Sequence, residues 1–324
     1  MQVTRELADL RPNGDLILTI GVFDGVHLGH RHLIGQVVER ARQLGCLSGV
    51  ITFHPHPAAV LRGESLPILT TPPERLYLLR QLDVDVIANL AFTADLASLT
   101  AREFVDLICQ HLRLRELWVG PDFALGRGRE GNIARLKEIG AQVGFTVQAV
   151  PPLVLDGEVV SSTRIRAVLA AGDVVQASRL LGHCFSFSGP VIHGAQRGRA
   201  LGYPTANLAA EPDRALPANG IYACHVFVGD PGREDSKTPP GTRRHQAVVN
   251  VGTRPTFDNG ARLVEAYILD FDGDLYGQTL TVHFVERLRG ELRFSSVGAL
   301  VDQIGQDVLR ARQVLATDTG CMLV

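Results

Sequence analysis

The chain reads as an α/β domain with a doubly wound parallel sheet over residues 1–183, followed over 184–324 by a β-rich domain built as a small barrel with a terminal helix. Three observations predict this. Up to about residue 182 short apolar runs alternate with segments of helical periodicity, the order that builds a parallel sheet covered on both faces. From about residue 184 the pattern turns to short strands separated by Gly and Pro. A length of 324 residues also exceeds what one hydrophobic core commonly serves.

The first strand is the apolar run Asp15-Leu16-Ile17-Leu18-Thr19-Ile20. It stops at Gly21, and the decapeptide GVFDGVHLGH, from Gly21 to His30, carries the chain through a glycine-bearing turn into a helix. Leu33, Ile34, Val37, Val38, Ala41 and Leu44 recur there at helical spacing, and Gly45 supplies the stop. Further strands are expected at 49–53, 85–90, 116–120 and 145–150. Pro72-Pro73-Glu74 opens one helix between them, and Thr100-Ala101-Arg102-Glu103 is a capping box for another that runs to about His111.

In the second half, strands are expected at 185–192, 221–228, 246–251, 263–269 and 280–287, with a long hairpin loop at 229–244. A closing helix is expected from Ser296 to Leu315, with Leu300, Ile304, Val308 and Arg312 down one face.

Composition narrows the chemistry. Hydrophobic residues make up 45% and charged residues 20%, with a formal net charge of -2, so neither nucleic acid nor an anionic membrane is an expected partner. Lys137 and Lys237 are the only lysines and neither follows a glycine, which excludes a Walker A phosphate loop. The five cysteines lack CxxC spacing and are read as reduced thiols. With no apolar leader-like segment and no run long enough to span a bilayer, a cytoplasmic protein is expected.

A strand that runs through a glycine turn into a helix is a place to hold phosphates, because free N–H groups and the helix dipole converge there. His27 and His30 stand at that helix start and are suited to hydrogen-bond phosphoryl oxygens; taken alone, they also fit a surface pair or metal ligands. The segment resembles the HxGH signature of the nucleotidyltransferase superfamily, and in its GxFDGxHxGH form it is similar to bacterial bifunctional riboflavin kinase/FAD synthetases. Three further segments match that family: TFHPHP at Thr52–Pro57, VGPDFALG at Val119–Gly126, and SSTRIR at Ser161–Arg166. Leu125 departs from the pattern, which has phenylalanine there.

The second half repeats the resemblance. Gly198-Arg199-Ala200-Leu201-Gly202-Tyr203-Pro204-Thr205-Ala206-Asn207 resembles the riboflavin kinase signature GRxxGFPTAN, with Tyr203 for phenylalanine. Pro217–Ala223, Asn250–Phe257, Val264–Tyr267, Leu269–Gly277 and Arg287–Phe294 follow in family order.

The resemblance implies an N-terminal Rossmann-like nucleotidyltransferase domain and a C-terminal riboflavin kinase domain. Riboflavin is then phosphorylated to FMN by the second and FMN adenylylated to FAD by the first, with ATP as co-substrate and Mg2+ as cofactor. It implies His27, His30, Arg166 and Glu265 as catalytic residues. ATP contacts fall to Gly21, Phe23, Asp24, Gly29, Asp122, Ser162, Thr163, Gly194, Gly198 and Gly202. Flavin contacts fall to Phe53, His56, Pro57, Leu125 and Arg293, and the metal to Thr205 and Asn207. Two competing readings are a riboflavin kinase whose first domain only binds nucleotide, and a flavin-responsive regulator without turnover. The expected partners are these small molecules, and the sequence leaves oligomeric state open.

Overall fold

Period-two alternation decides how the first sheet is covered. On β2 (Asp15–Ile20) Leu16, Leu18 and Ile20 point to one face and Ile17 to the other, and all four are buried. These contacts come from a computed structural model, which describes every residue except 1, 5, 11, 64–65, 195–197, 199–200, 212, 230–243, 254–261 and 319–324. Most of the expected loop at 229–244 and part of the segment 250–257 therefore lie outside the described residues.

By contact the chain divides into two units, residues 1–161 and 162–324. The composition changes later, at about residue 184, because the two helices α7 (Ser162–Ala171) and α8 (Val174–Leu181) join the second unit: the Phe185 amide donates to Ser178 Oγ, and Ala218 donates to the Leu169 carbonyl.

The first unit holds a six-stranded parallel sheet in the order β1-β4-β3-β2-β5-β8. β1 is Gln2–Thr4, β3 Leu47–His54, β4 Val86–Ala91, β5 Arg113–Val119 and β8 Thr146–Ala149. The three-residue β1, paired at the edge, was not expected, being too short to show a period. Helices α1 (Leu28–Leu44) and α3 (Pro72–Arg80) cover one face through Ile34, Val38 and Leu79. On the other face α5 (Ala101–His111) and α6 (Ile133–Val143) pack through Phe104, Ile108, Leu136 and Ile139. The short helices α2 (Pro57–Arg62) and α4 (Ala94–Ser98) complete the unit's helices.

Both expected helix starts are capping boxes, at Thr71 with Glu74 and at Thr100 with Glu103. The chain winds outward from β2 to β3 and β4, then returns to the other side of β2 as β5. That reversal opens a crevice at the carboxyl ends of β2 and β5, the usual ligand position in such sheets.

Between β5 and α6 lies a small hairpin, β6 (Ala124–Leu125) and β7 (Gly131–Asn132). It packs so closely on the start of α5 that a Cβ at Gly126 or Gly131 would lie 2.5 Å from Ala101 atoms. The pair β9 (Val154–Leu155) and β10 (Glu158–Val159) precedes α7.

The second unit is a closed six-stranded barrel in the order β11-β12-β15-β14-β13-β16. Its strands are β11 Ser186–Ile192, β12 Ala206–Leu208, β13 Gly220–Val228, β14 His245–Thr253, β15 Arg262–Ile268 and β16 Thr279–Arg289. β12 was not expected as a strand; it is the Thr-Ala-Asn end of the glycine motif, and only its pairing on both sides makes it one.

The closing helix α9 (Val297–Thr317), capped by Ser296, buries Asp307, Ala311 and Leu315. Arg312 is exposed and forms an ion pair with Asp270, which corrects the expected stripe. Steps of four residues drift about 40° per turn, and by the third step the position has left the buried face.

Cys46, Cys109 and Cys224 are free thiols, but Cys184 is disulfide-bonded. The expectation of reduced thiols therefore fails at Cys184.

Candidate active sites

The turn after β2 places its functional side chains inward. Val26, Phe23, Asp24 and His27 are each at most 4% exposed. His27 is itself the N-cap of α1: its Nδ1 accepts from the His30 amide at 3.3 Å. A neutral imidazole that accepts at Nδ1 carries its proton on Nε2. The His30 ring stacks on it with centroids 3.5 Å apart and an angle of 19°, and meets the Phe23 ring edge-on at 5.2 Å.

Burial, then the His27 ring and the Arg75 guanidinium, push the His30 imidazole well below its ordinary value. Among the described residues its Nδ1 is buried without a partner. A ring N–H at that place, beside a helix N-terminus, is suited to a phosphoryl oxygen.

The glycines have steric reasons. A Cβ at Gly29 would stand 3.1 Å from the Val160 carbonyl and 3.2 Å from the His27 ring, and at Gly21 it would press on the Phe23 ring at 3.0 Å. Phe23 and Val26 themselves hold φ of 52° and 39°, conformations that cost about 1–3 kcal/mol each. Asp24 turns away from the helix end. Its carboxylate accepts from the amides of Leu69 and Thr70 at 3.0 Å and from the Thr70 hydroxyl at 3.2 Å, and so anchors the segment before α3.

Of the other expected residues in this unit, Phe53 packs in the core, with ring centroids 5.5 Å from Phe92 and 6.4 Å from Phe104. His56 caps α2, accepting from the Ala58 amide at 3.1 Å, and Pro57 is the first residue of that helix. Asp122 is exposed at the carboxyl end of β5, on the crevice, where its carbonyl accepts from Arg129 at 2.8 Å. Leu125 is half-buried on β6 and packs against the core. Ser162, Thr163 and Arg166 lie in the first two turns of α7, in the second unit.

In the barrel, register brings three polar residues into one row. Asn207 on β12 stands directly across from Glu265 on β15, which stands directly across from Asn250 on β14. Opposed residues of an antiparallel pair share a face, so the row is contiguous. Asn250 Nδ2 donates to Glu265 Oε2 at 3.3 Å. Asn207 is buried, and a Cβ at Gly194 would collide with its amide; one at Gly198 would collide with the Tyr203 carbonyl. Both positions need glycine so that backbone and side chain can meet. Gly202 needs it for another reason, a φ of 83°. Arg293 is exposed beyond β16.

Thr205, next to this row, also lines a cavity of about 500 Å3, with Pro204, Ala266, Phe271, Asp272 and Tyr276 among the other walls. The His193 ring stacks on Tyr276 with centroids 3.9 Å apart. Residues 271–276 read in sequence as a polar turn, with no period to mark them as a pocket wall. Asn250 was within a recognised segment but had no assigned task until pairing set it beside Glu265.

A second cluster centres on Asn219. Its amide donates to Thr253 Oγ1 at 3.0 Å and Glu291 at 3.3 Å, its Oδ1 accepts from Arg262 at 3.1 Å and its carbonyl from Arg287 at 2.7 Å. These bonds tie the start of β13 to β14, β15 and β16, and account for the Pro-Ala-Asn-Gly segment. Thr205 and Asn207 offer a hydroxyl and an amide oxygen, donors that suit a hard cation such as Mg2+. Among the described residues no group of three or more His, Cys, Asp or Glu is placed to hold a metal ion.

Comparison with known proteins matches two families to this chain. The family described as FAD synthetase matches residues 10–164, and the family described as riboflavin kinase matches residues 181–315. A bifunctional riboflavin kinase/FMN adenylyltransferase from Pseudomonas fluorescens is 41% identical, covering 98% of both chains. The protein of that description from Escherichia coli K12 is 37% identical over 93% of both. A crystal structure described as a macrolide-efflux protein from Streptococcus pneumoniae matches with a TM-score of 0.84 at 31% identity, over 96% of this chain and 98% of that one. Among the described residues no helix is long and apolar enough to cross a membrane.

Proposed function

The chain belongs to the family of bifunctional riboflavin kinases/FMN adenylyltransferases, and from that premise we propose which residues carry each of its two reactions. It phosphorylates riboflavin to FMN and adenylylates FMN to FAD; with both families matched, the readings as a kinase with an inert first domain or as a regulator without turnover give way. The observation that carries the division of labour is that the histidine pair and Glu265 lie in separate compact units.

In the first reaction site an oxygen of the FMN phosphate attacks the α-phosphorus of ATP. The new O–P bond forms as the bond to the β-phosphate oxygen breaks, and pyrophosphate leaves. A phosphate monoester is largely ionised at neutral pH, so no general base is needed. The work is orientation and charge stabilisation. His27 and neutral His30 each donate a ring N–H, and the positive end of α1 lies beside the phosphates. For Ser162, Thr163 and Arg166, at the start of the second unit, the motif by itself implies phosphate binding.

In the kinase a ribityl hydroxyl attacks the γ-phosphorus and ADP leaves. Its proton passes to Glu265, whose carboxylate is steadied by Asn250. The cavity bounded by Thr205 and Tyr276 has a volume suited to a nucleotide. Thr205 and Asn207 would hold Mg2+, which when bound supplies charge neutralisation on the transferring phosphoryl group. Dependence on ATP puts both reactions in the cytoplasm.

Incubation with riboflavin, ATP and Mg2+, with flavins separated by chromatography, tests this. His30→Ala is expected to abolish FAD and spare FMN, and Glu265→Gln to stop FMN while FAD still forms from supplied FMN. Equal loss of both activities in either variant would refute the division.

A further inference from the structure

The histidine turn is held in a strained shape, and what holds it comes from elsewhere in the sequence. Phe23 and Val26 stand at φ of 52° and 39°, where bulky and β-branched residues seldom go. Such a conformation persists only where its surroundings over-determine it. Two side chains converge on the Val22 carbonyl, immediately before strained Phe23: Thr52 donates from Oγ1 at 2.8 Å and Arg75 from Nη1 at 2.6 Å. The segment leading to Arg75 adds Thr70, whose hydroxyl oxygen accepts from the Gly25 amide at 3.0 Å, and the Leu69 and Thr70 amides bound to Asp24.

Arg75 differs from these in bringing a full charge. The residue is 4% exposed, and among the described residues its Nε is buried without a partner. A buried cation of this kind is costly unless its field is used. The titratable groups that face it are Asp24, which it attracts, and His30, whose other such neighbour is the stacked His27 ring.

We propose that Arg75 is a positioning residue for adenylyl transfer, pinning the Val22 carbonyl and setting a fixed positive charge that acts on His30. The inference rests on the proposed role of His30. Pinning keeps the start of α1 aimed at the phosphates. The charge opposes protonation of His30, adding to burial and His27, so that the ring stays neutral and meets a phosphoryl oxygen with its single N–H.

The test uses the full chain, supplied FMN and ATP, and pH profiles of FAD formation. Arg75→Gln is expected to lower kcat about tenfold or more with KM for ATP changed less than about threefold, and to move the acid limb upward by about half a pH unit or more. The His30 titration followed by NMR moves with it. Arg75→Lys keeps the charge, so its acid limb stays in place while kcat falls in part. Thr52→Val removes the other bond to Val22, lowering kcat without moving the acid limb.

Parental kcat and acid limb in Arg75→Gln would overturn the inference, as would an acid limb that moves equally in Thr52→Val. If Arg75→Gln does not fold, parental kcat in both Arg75→Lys and Thr52→Val overturns it. His30→Ala separates the two levels. FAD formation at the parental rate there removes the role of His30 itself, whereas an inactive His30→Ala beside an unchanged Arg75→Gln removes only that of Arg75.

Discussion

Asp24→Ala separates two roles for a carboxylate that the motif assigns to ATP and the geometry assigns to an anchor. Asp24 is 3% exposed, and its oxygens accept from the Leu69 amide, the Thr70 amide and the Thr70 hydroxyl. The substitution strands two buried N–H groups, each worth about 1–3 kcal/mol when left unmade, while the hydroxyl is free to rotate. The loss centres on about 4 kcal/mol. For a unit of about 160 residues each kcal/mol moves the melting point by about 2–4 °C, so a fall of about 8–16 °C is expected.

Asp24→Asn keeps one oxygen in place but turns an NH2 group toward the Leu69 amide, and about 1 kcal/mol, or about 2–4 °C, is expected. Trp118, the single tryptophan, lies on β5 of the first unit, so its fluorescence reports the melting of that unit in the full chain. KM for ATP is measured alongside. If Asp24→Ala melts within about 1 °C of the parent while KM for ATP rises about tenfold, the carboxylate serves the nucleotide and the anchoring argument is wrong.

Gly194→Ala drives a methyl group into the Asn207 amide, so FMN formation is expected to fall about tenfold or more while FAD still forms from supplied FMN; chromatography of the flavins checks both, and unchanged FMN formation would contradict the close approach. Burial, with His183 and His225 beside it, pushes the His283 imidazole down to about 3. The unfolded chain takes up that proton below about pH 6.5 and the folded chain does not, so this contribution to barrel stability is full above about 6.5 and falls by about 1.4 kcal/mol per pH unit toward about 3. Urea unfolding followed by near-UV circular dichroism of the tyrosines at pH 7 and 5 should show a drop that His283→Gln reduces; equal drops in parent and variant would refute it.

The alternation of apolar runs with helical periods is a local property, and from it the sheet, all its strands but the short edge strand β1, and the capping box at Thr100 were legible. The histidine turn was legible because a strand, two glycines and a helix start are adjacent in the chain. Arg75 was not. It reads as an ordinary helix residue after Pro-Pro-Glu, and only packing brings it under a carbonyl 53 positions away. Phe53 shows the reverse: a motif placed it with the ligand residues, and its ring lies in the core against Phe92 and Phe104.

In the barrel, glycine and proline marked where strands end, but β12 is three residues long and exists by virtue of its two neighbours. The motifs and their order along the chain resemble those of a family with two ATP-dependent flavin reactions, and it was through that resemblance that the sequence pointed to both. The tertiary structure alone decided which groups act together: Asn207, Glu265 and Asn250 form a row because strand register sets them opposite one another. It likewise decided that Asp24 anchors the segment before α3, because burial and hydrogen-bond partners are properties of the packed chain rather than of any stretch of it.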